Sequence, residues 1–250
     1  MRPDSITYRF LVGTLLINLI WYVAYLLIGE GALISPLVVY RHLPALLAGK
    51  MGPHLLASLY RILLGIPIAL LLGLVIAWLI YSYRPFGRAM NALTYLAYPI
   101  PKLALLPIVM LIAGLGDGGK VAMIVLILIF QVIVNVRDSL TNIPRESFHI
   151  ARSLGADRWR ILRYILLPAA LPDILSTLRV AIGTAISVLF VTETYGTDRG
   201  MGYFITDAWM RFDYIDMYGG IVVLSITGFI LFILTDIAEE HFCRWRSAGH

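Results

Sequence analysis

Apolar windows of about 20 residues recur along the chain, near residues 8–29, 58–82, 92–115, 120–137, 173–194 and 217–237. A helix rises about 1.5 Å per residue, so each window is close to the length that crosses a bilayer core of about 30 Å. Within hydrocarbon every backbone polar group must find its partner inside the protein, which dictates helices for segments of this kind. The chain is expected to be an all-α, polytopic membrane protein with six spans. The fourth window is the shortest and the third carries Pro99, Pro101 and Pro107, so a five-span count also fits.

Composition agrees, with 60% hydrophobic and 14% charged residues against about 45–50% and about 25% in soluble domains. The formal charge of +5 does not point to nucleic acid, because membrane chains collect Lys and Arg in their cytoplasmic loops. The single cysteine, Cys243, allows no intrachain disulfide, and no Cys/His spacing fits a metal site. Arg2 and Arg9 precede the apolar run from Phe10 to Gly29, but no A-x-A-like cleavage site follows it, so it reads as a retained first span.

With the N-terminus inside, the inner loops and tails hold twelve basic residues, among them Arg2, Arg84, Arg88, Arg137, Arg244 and Arg246. The outer side holds five, Arg41, Lys50, Lys120, Arg199 and Arg211. That asymmetry predicts both termini in the cytoplasm. Between the first two windows, PLVVYRHLPALLAG has apolar residues at helical spacing and predicts a short helix along the outer face.

The densest charge lies in ESFHIARSLGADRWRILRYILLPAALPD, residues 146–173, which this reading places inside. Pro144 suits the first turn of a helix and Glu146 sits at its positive end, predicting a helix from Pro144 to Leu154. Gly155 suits a left-handed C-terminal cap, Asp157 suits the N-cap of a second short helix, and Pro168 and Pro172 punctuate its far end. Ala151, Gly155 and Ala156 leave the corner bare, a shape that admits close approach by another protein. On charge alone, an ordinary arginine-rich inner loop explains it as well.

This segment resembles the EAA loop of membrane subunits of bacterial ABC importers, whose pattern runs E-A-A, three residues, G, nine residues, I, one residue, L-P. Glu146 opens it, Ala151 stands nearest the second alanine region, Gly155 is its glycine, Ile165 its isoleucine, and Leu167-Pro168 closes it. Ser147 and Phe148 loosen the triplet. HLLASLYRILLG, YPIPKLALLPIVMLIAGLGD, LPDILSTLRVAIG and ETYGTDRGMGYFITDA extend the likeness over most of residues 35–240, to permeases of the nitrate, sulfonate and taurine type.

The resemblance implies a type I importer permease forming a single transmembrane domain in a bacterial cytoplasmic membrane. It implies a pathway shared with a second copy, two cytosolic ABC ATPases that hold ATP and magnesium, and an extracytoplasmic solute-binding protein. It makes Glu146, Ala151, Gly155, Ala156 and Asp157 the ATPase-coupling residues, within a cytoplasmic loop over about 138–168. The solute it implies is a small anion such as nitrate, a sulfonate or taurine. No cofactor and no enzymatic activity are expected in this chain.

Other signals are weaker. GLGDGGK approaches a phosphate loop, but Val121 stands where Ser or Thr is required and no strand precedes it, so a tight turn is expected. The histidines His42, His54, His149, His241 and His250 are read as lying in loops or tails, and no H-E-x-x-H or G-x-S-x-G occurs, against an intramembrane enzyme. Arg61, Lys102, Arg179 and Glu193 lie in or at the ends of apolar windows, where charges either pair between helices or mark a pathway. Pro99, Pro101 and Lys102 suggest a broken entry to the third span bordering a cavity. With Glu193, Gly200 and Gly202 they form the candidate pathway or gate, and Gly196, Gly200 and Gly202 give the segment after Glu193 its flexible points. A channel or ion-coupled secondary transporter is the alternative; no acidic residue sits clearly mid-window, which weighs against proton coupling.

Overall fold

The structure is a computed structural model that describes residues 6–29, 31, 33–153 and 155–243. Arg2, Leu154, Arg244, Arg246 and His250 lie outside the described residues, as do the side chains of Arg9, Arg145, Arg152 and Arg158.

The chain is helical throughout its described spans. Helix α1 (Ile6–Ile28) is followed by α2 (Pro36–Leu46), and the chain turns at Gly49 before α3 (Gly52–Ser82). Then come α4 (Arg84–Ala97), α5 (Leu106–Ala113) and α6 (Asp117–Thr141). The short helices α7 (Arg145–Ser153) and α8 (Arg158–Ile161) lead into α9 (Leu167–Glu193), α10 (Met201–Met210) and α11 (Tyr214–Phe242). Five helical stretches are long and apolar enough to cross a membrane, and the bent pair α4 and α5 brings the number to six.

The centre is a three-helix core of α3, α6 and α9, where Ile62, Ile66, Ile124, Leu128, Ala185 and Leu189 are buried together. Small residues set the approach of α3 and α6. A Cβ on Gly65 would fall 2.7 Å from Ile124 Cγ2, and one on Gly73 would fall 2.5 Å from Val132 Cγ1. Without a solvent-driven force between helices in lipid, such close backbone approach is the main source of cohesion. Ala185 is buried in the same core, whereas Gly183 has no neighbour within 4 Å of an added Cβ. Helix α1 lies on the periphery, with Trp21 against Tyr40 and Tyr218 and with the Tyr40 hydroxyl donating to Asn18 Oδ1 at 2.7 Å.

Four expectations need correction. The third window starts earlier than expected and is sharply bent: α4 begins at Arg84, and after the expected break, over Tyr98–Pro101, α5 leaves at 91° to α4. Two prolines with no N–H and a bias against helical geometry in the residues before them account for the break, while Pro107 sits in the first turn of α5 and opens it. Pro168 and Pro172 end no helix: a wide π-type segment, Leu162–Leu166, absorbs the lost hydrogen bond and the chain runs on into α9. His54 and His241 lie within spanning helices, because α3 and α11 outrun their apolar windows, while His42 and His149 lie in the expected short helices α2 and α7. Lys120, counted with the outer loops, is fully buried. Gly119 makes that burial fit, since a Cβ there would fall 2.1 Å from the Gly114 carbonyl oxygen.

Candidate functional site

Three constellations gather the residues singled out in the sequence. The first is the corner between α7 and α8. Glu146 lies in the first turn of α7, at its positive end. Gly155 adopts φ +76°, the left-handed cap that its lack of a Cβ permits, and the Ala156 N–H returns to the Ala151 carbonyl at 3.0 Å. Asp157 caps α8 by accepting from the Arg160 N–H at 2.8 Å. Phe148 packs towards Tyr81 of α3, ring centroids 6.4 Å apart, and joins the core formed by Ala77, Val136, Leu140 and Leu166. Glu146, Gly155 and Asp157 are exposed, beside Trp159 and Tyr164 at 65% and 71% exposure. The corner is thus fixed from behind and open in front.

The second is the break between α4 and α5. Pro99 and Pro101 are exposed and Lys102 is half-buried. The Lys102 ammonium donates to the Tyr98 and Ala97 carbonyls at 3.1 and 3.3 Å, which are the terminal acceptors of α4.

The third constellation, at the opposite end of the bundle from the corner, holds Glu193, Gly200 and Gly202. Glu193 accepts from Arg61 Nη1 at 2.6 Å and from the Gly202 N–H at 2.9 Å, and the Ser58 hydroxyl lies 2.8 Å from both its oxygens. Arg61 also donates through Nε to Asp117 at 2.8 Å and through Nη1 to the Arg199 carbonyl at 2.9 Å. The Met201 N–H donates to Ser58 Oγ, and the Gly200 N–H to His54 Nδ1. The carboxylate pins the chain after α9 to α3 and α6, and glycine is obligatory: a Cβ on Gly200, which has φ +125°, would fall 2.3 Å from Glu193 Cδ. Gly202 packs as tightly, its Cβ position lying 2.4 Å from the Phe190 carbonyl oxygen.

The structure therefore brings Glu193, Gly200 and Gly202 together in one buried clasp, and places Pro99, Pro101 and Lys102 elsewhere, at the break between α4 and α5, with the prolines exposed and Lys102 half-buried. Sequence reasoning missed Ser58, His54 and Asp117 as members of the clasp, since their partners lie more than 50 positions away in sequence. The remaining intramembrane cation, Arg179, pairs with Asp236 and Glu239 of α11. Lys120 turns inward and donates back to the Leu115 carbonyl of the glycine-rich turn.

Residues 65–247 match the family model of the binding-protein-dependent transport system inner membrane component. The chain belongs to this family. It is 32% identical to the taurine transport system permease protein of Escherichia coli over 94% of this chain and 88% of that protein. It is 29% identical to the formylaminopyrimidine transport permease protein of Halalkalibacterium halodurans over 93% of each. Among solved structures, an inward-facing methionine ABC transporter chain shares the fold with a TM-score of 0.65 at 21% identity, over 74% of this permease and 93% of that chain. A chain of a bacterial alginate ABC transporter shares it at 0.62 and 16% identity, over 97% and 98%. The permease is accordingly a multi-pass inner-membrane subunit of an ABC importer with the type I transmembrane fold.

Proposed function

We propose that two copies of this permease form one translocation pathway for a small anion, of the nitrate, sulfonate or taurine class. Each copy docks a cytosolic ATPase at Glu146, Ala151, Gly155, Ala156 and Asp157, and an extracytoplasmic binding protein delivers solute to the clasp end. Both termini then lie in the cytoplasm, and ATP and magnesium are held by the ATPases. Pro99, Pro101 and Lys102 border the pathway in this reading, while the segment after Glu193, held at Gly200 and Gly202, faces the binding protein as a gate.

The observation that carries this reading is the corner itself: a bare left-handed turn at Gly155, flanked by exposed Trp159 and Asp157, whose back is tied through Phe148 to the central helix α3. Force applied to such a corner reaches the spanning core through packed side chains. The kinship with taurine and aliphatic sulfonate permeases supports the anion. Gly155→Asp in the assembled importer tests the coupling: uptake is expected to collapse while the chain still inserts in the membrane, and normal substrate-stimulated ATP hydrolysis and uptake would remove the corner from the mechanism.

A further inference from the structure

We propose that Lys102 is the anion-recognising residue of the pathway, presenting its ammonium to the oxygen atoms of a small oxyanion as the solute passes the break between α4 and α5. This rests on the anion reading above and gives it a residue.

Depth comes first. The Lys102 ammonium lies 5.0 Å from the ring centroid of Phe130, and Phe130 is the fourteenth of the 25 residues of α6. At about 1.5 Å per residue it stands about 20 Å from one end of a helix about 37 Å long. The charge therefore sits near mid-membrane, with about 15 Å of hydrocarbon on either side. Its four-carbon stem is too short to carry it to an interface, and a lipid headgroup does not reach it there.

Compensation comes second. Arg61 pairs with Glu193 and Asp117, Arg179 with Asp236 and Glu239, and Lys50 with Asp216. Among the described residues no carboxylate pairs with Lys102. Its contacts are the Ala97 and Tyr98 carbonyls at the negative end of α4 and the faces of Tyr98 and Phe130. These dipoles and quadrupoles hold a cation in place without neutralising it. Two of the three ammonium donors are engaged, leaving one for an incoming acceptor. An unneutralised charge at this depth is expensive, which marks it as functional.

Access comes third. A cleft of about 670 Å³ includes Pro99 in its wall, with Asn91, Thr94 and Arg137. A second, of about 800 Å³, is lined by Leu103, Pro107, Met110, Leu115, Val191 and Gly196. Only residues 100–102 separate the two along the chain. Lys102 lines neither cleft itself, but it lies in the short segment that joins a wall of one, at Pro99, to a wall of the other, at Leu103.

The test uses the complete importer in proteoliposomes, with nitrate, taurine and ethanesulfonate as probes and riboflavin as an uncharged control. A Lys102→Cys, Cys243→Ala protein carries one thiol, and its oxyanion uptake is expected to fall about 10- to 100-fold, the size of a lost charge-assisted contact. Aminoethyl methanethiosulfonate attaches an ammonium through a mixed disulfide, expelling methanesulfinate, and should restore most of the uptake in the same folded molecules. The sulfonatoethyl reagent attaches a negative charge and should not, and Lys102→Arg should remain active. Oxyanion uptake unchanged in the cysteine protein, or an equal response to both reagents, overturns the role of Lys102 and leaves the anion reading standing. Wild-type uptake of none of nitrate, ethanesulfonate and the sulfonate zwitterion taurine overturns the anion reading, and this assignment with it.

Discussion

Arg61 of α3 and Glu193 of α9 meet at 2.6 Å with 3% and 1% of their side chains exposed, so the charges that join these two helices are sealed from both water and lipid. Every neighbour of the carboxylate is a donor: Ser58, Arg61 and the Gly202 N–H. A pair of this kind contributes little relative to a well-packed apolar pair, but breaking it by removing one partner leaves a buried charge and costs about 3–5 kcal/mol. Glu193→Leu leaves Arg61 with only the half-exposed Asp117 as a carboxylate partner and is expected to destabilise the permease by about 3 kcal/mol, the low end of that range. The double change Arg61→Met, Glu193→Leu should recover at least half of it. Thermal unfolding in detergent measures both, and losses that simply add would show that the pair is not the coupling element.

Gly200 tests the clasp from the backbone side. A methyl group there meets the Glu193 carboxyl carbon at 2.3 Å, and φ +125° is a conformation L residues rarely adopt. Gly200→Ala should release the 194–202 segment, seen as faster protease cleavage there, with a stability loss of about 1–3 kcal/mol. Unchanged cleavage would mean that the segment is held by α10 instead.

Asp157 accounts for the start of α8 through one hydrogen bond, to the Arg160 N–H. Asp157→Ala should cost about 1 kcal/mol of local stability and raise amide exchange at residues 158–161 several-fold, by about fivefold for that energy. Asp157→Ser should behave like wild type, since serine caps as well. Equal exchange in both variants would assign the corner's order to Gly155 alone.

Phe148 joins the corner to Tyr81 and to the end of the core. In Phe148→Ala the ATPases should stay bound while uptake falls about tenfold, as expected when about 1.4 kcal/mol of aromatic contact is lost from a force-bearing joint. Loss of ATPase binding instead would make Phe148 part of the docking surface.

Much of this was legible in the sequence because bilayer helices are local objects: their length and apolarity appear as windows, and the Gly155 cap, the Asp157 cap and the proline break each depend on a few adjacent residues. What stayed hidden depends on distant partners. Nothing near Glu193 announces Ser58, 135 positions away, or Arg61, 132 away. Lys120 read as a loop cation because local composition cannot show that Gly119 lets α5 and α6 close over it. Pro168 read as a stop because a π-type turn that absorbs a proline leaves no compositional trace. The Gly-Met-Gly run at 200–202 was a usable signal, since a pair of glycines around exposed N–H groups suits a buried carboxylate.

The central claim is that the Gly155 corner seats an ATPase. The most direct measurement is the mass and subunit composition of the tagged permease, gently solubilised from its native membrane, for wild type and Gly155→Asp side by side. The account predicts a wild-type assembly of two permease copies with two ATPase subunits, and a variant that inserts normally but loses the ATPases. A wild-type chain that purifies without any ATPase, and on its own moves solute down an ion gradient, would contradict it.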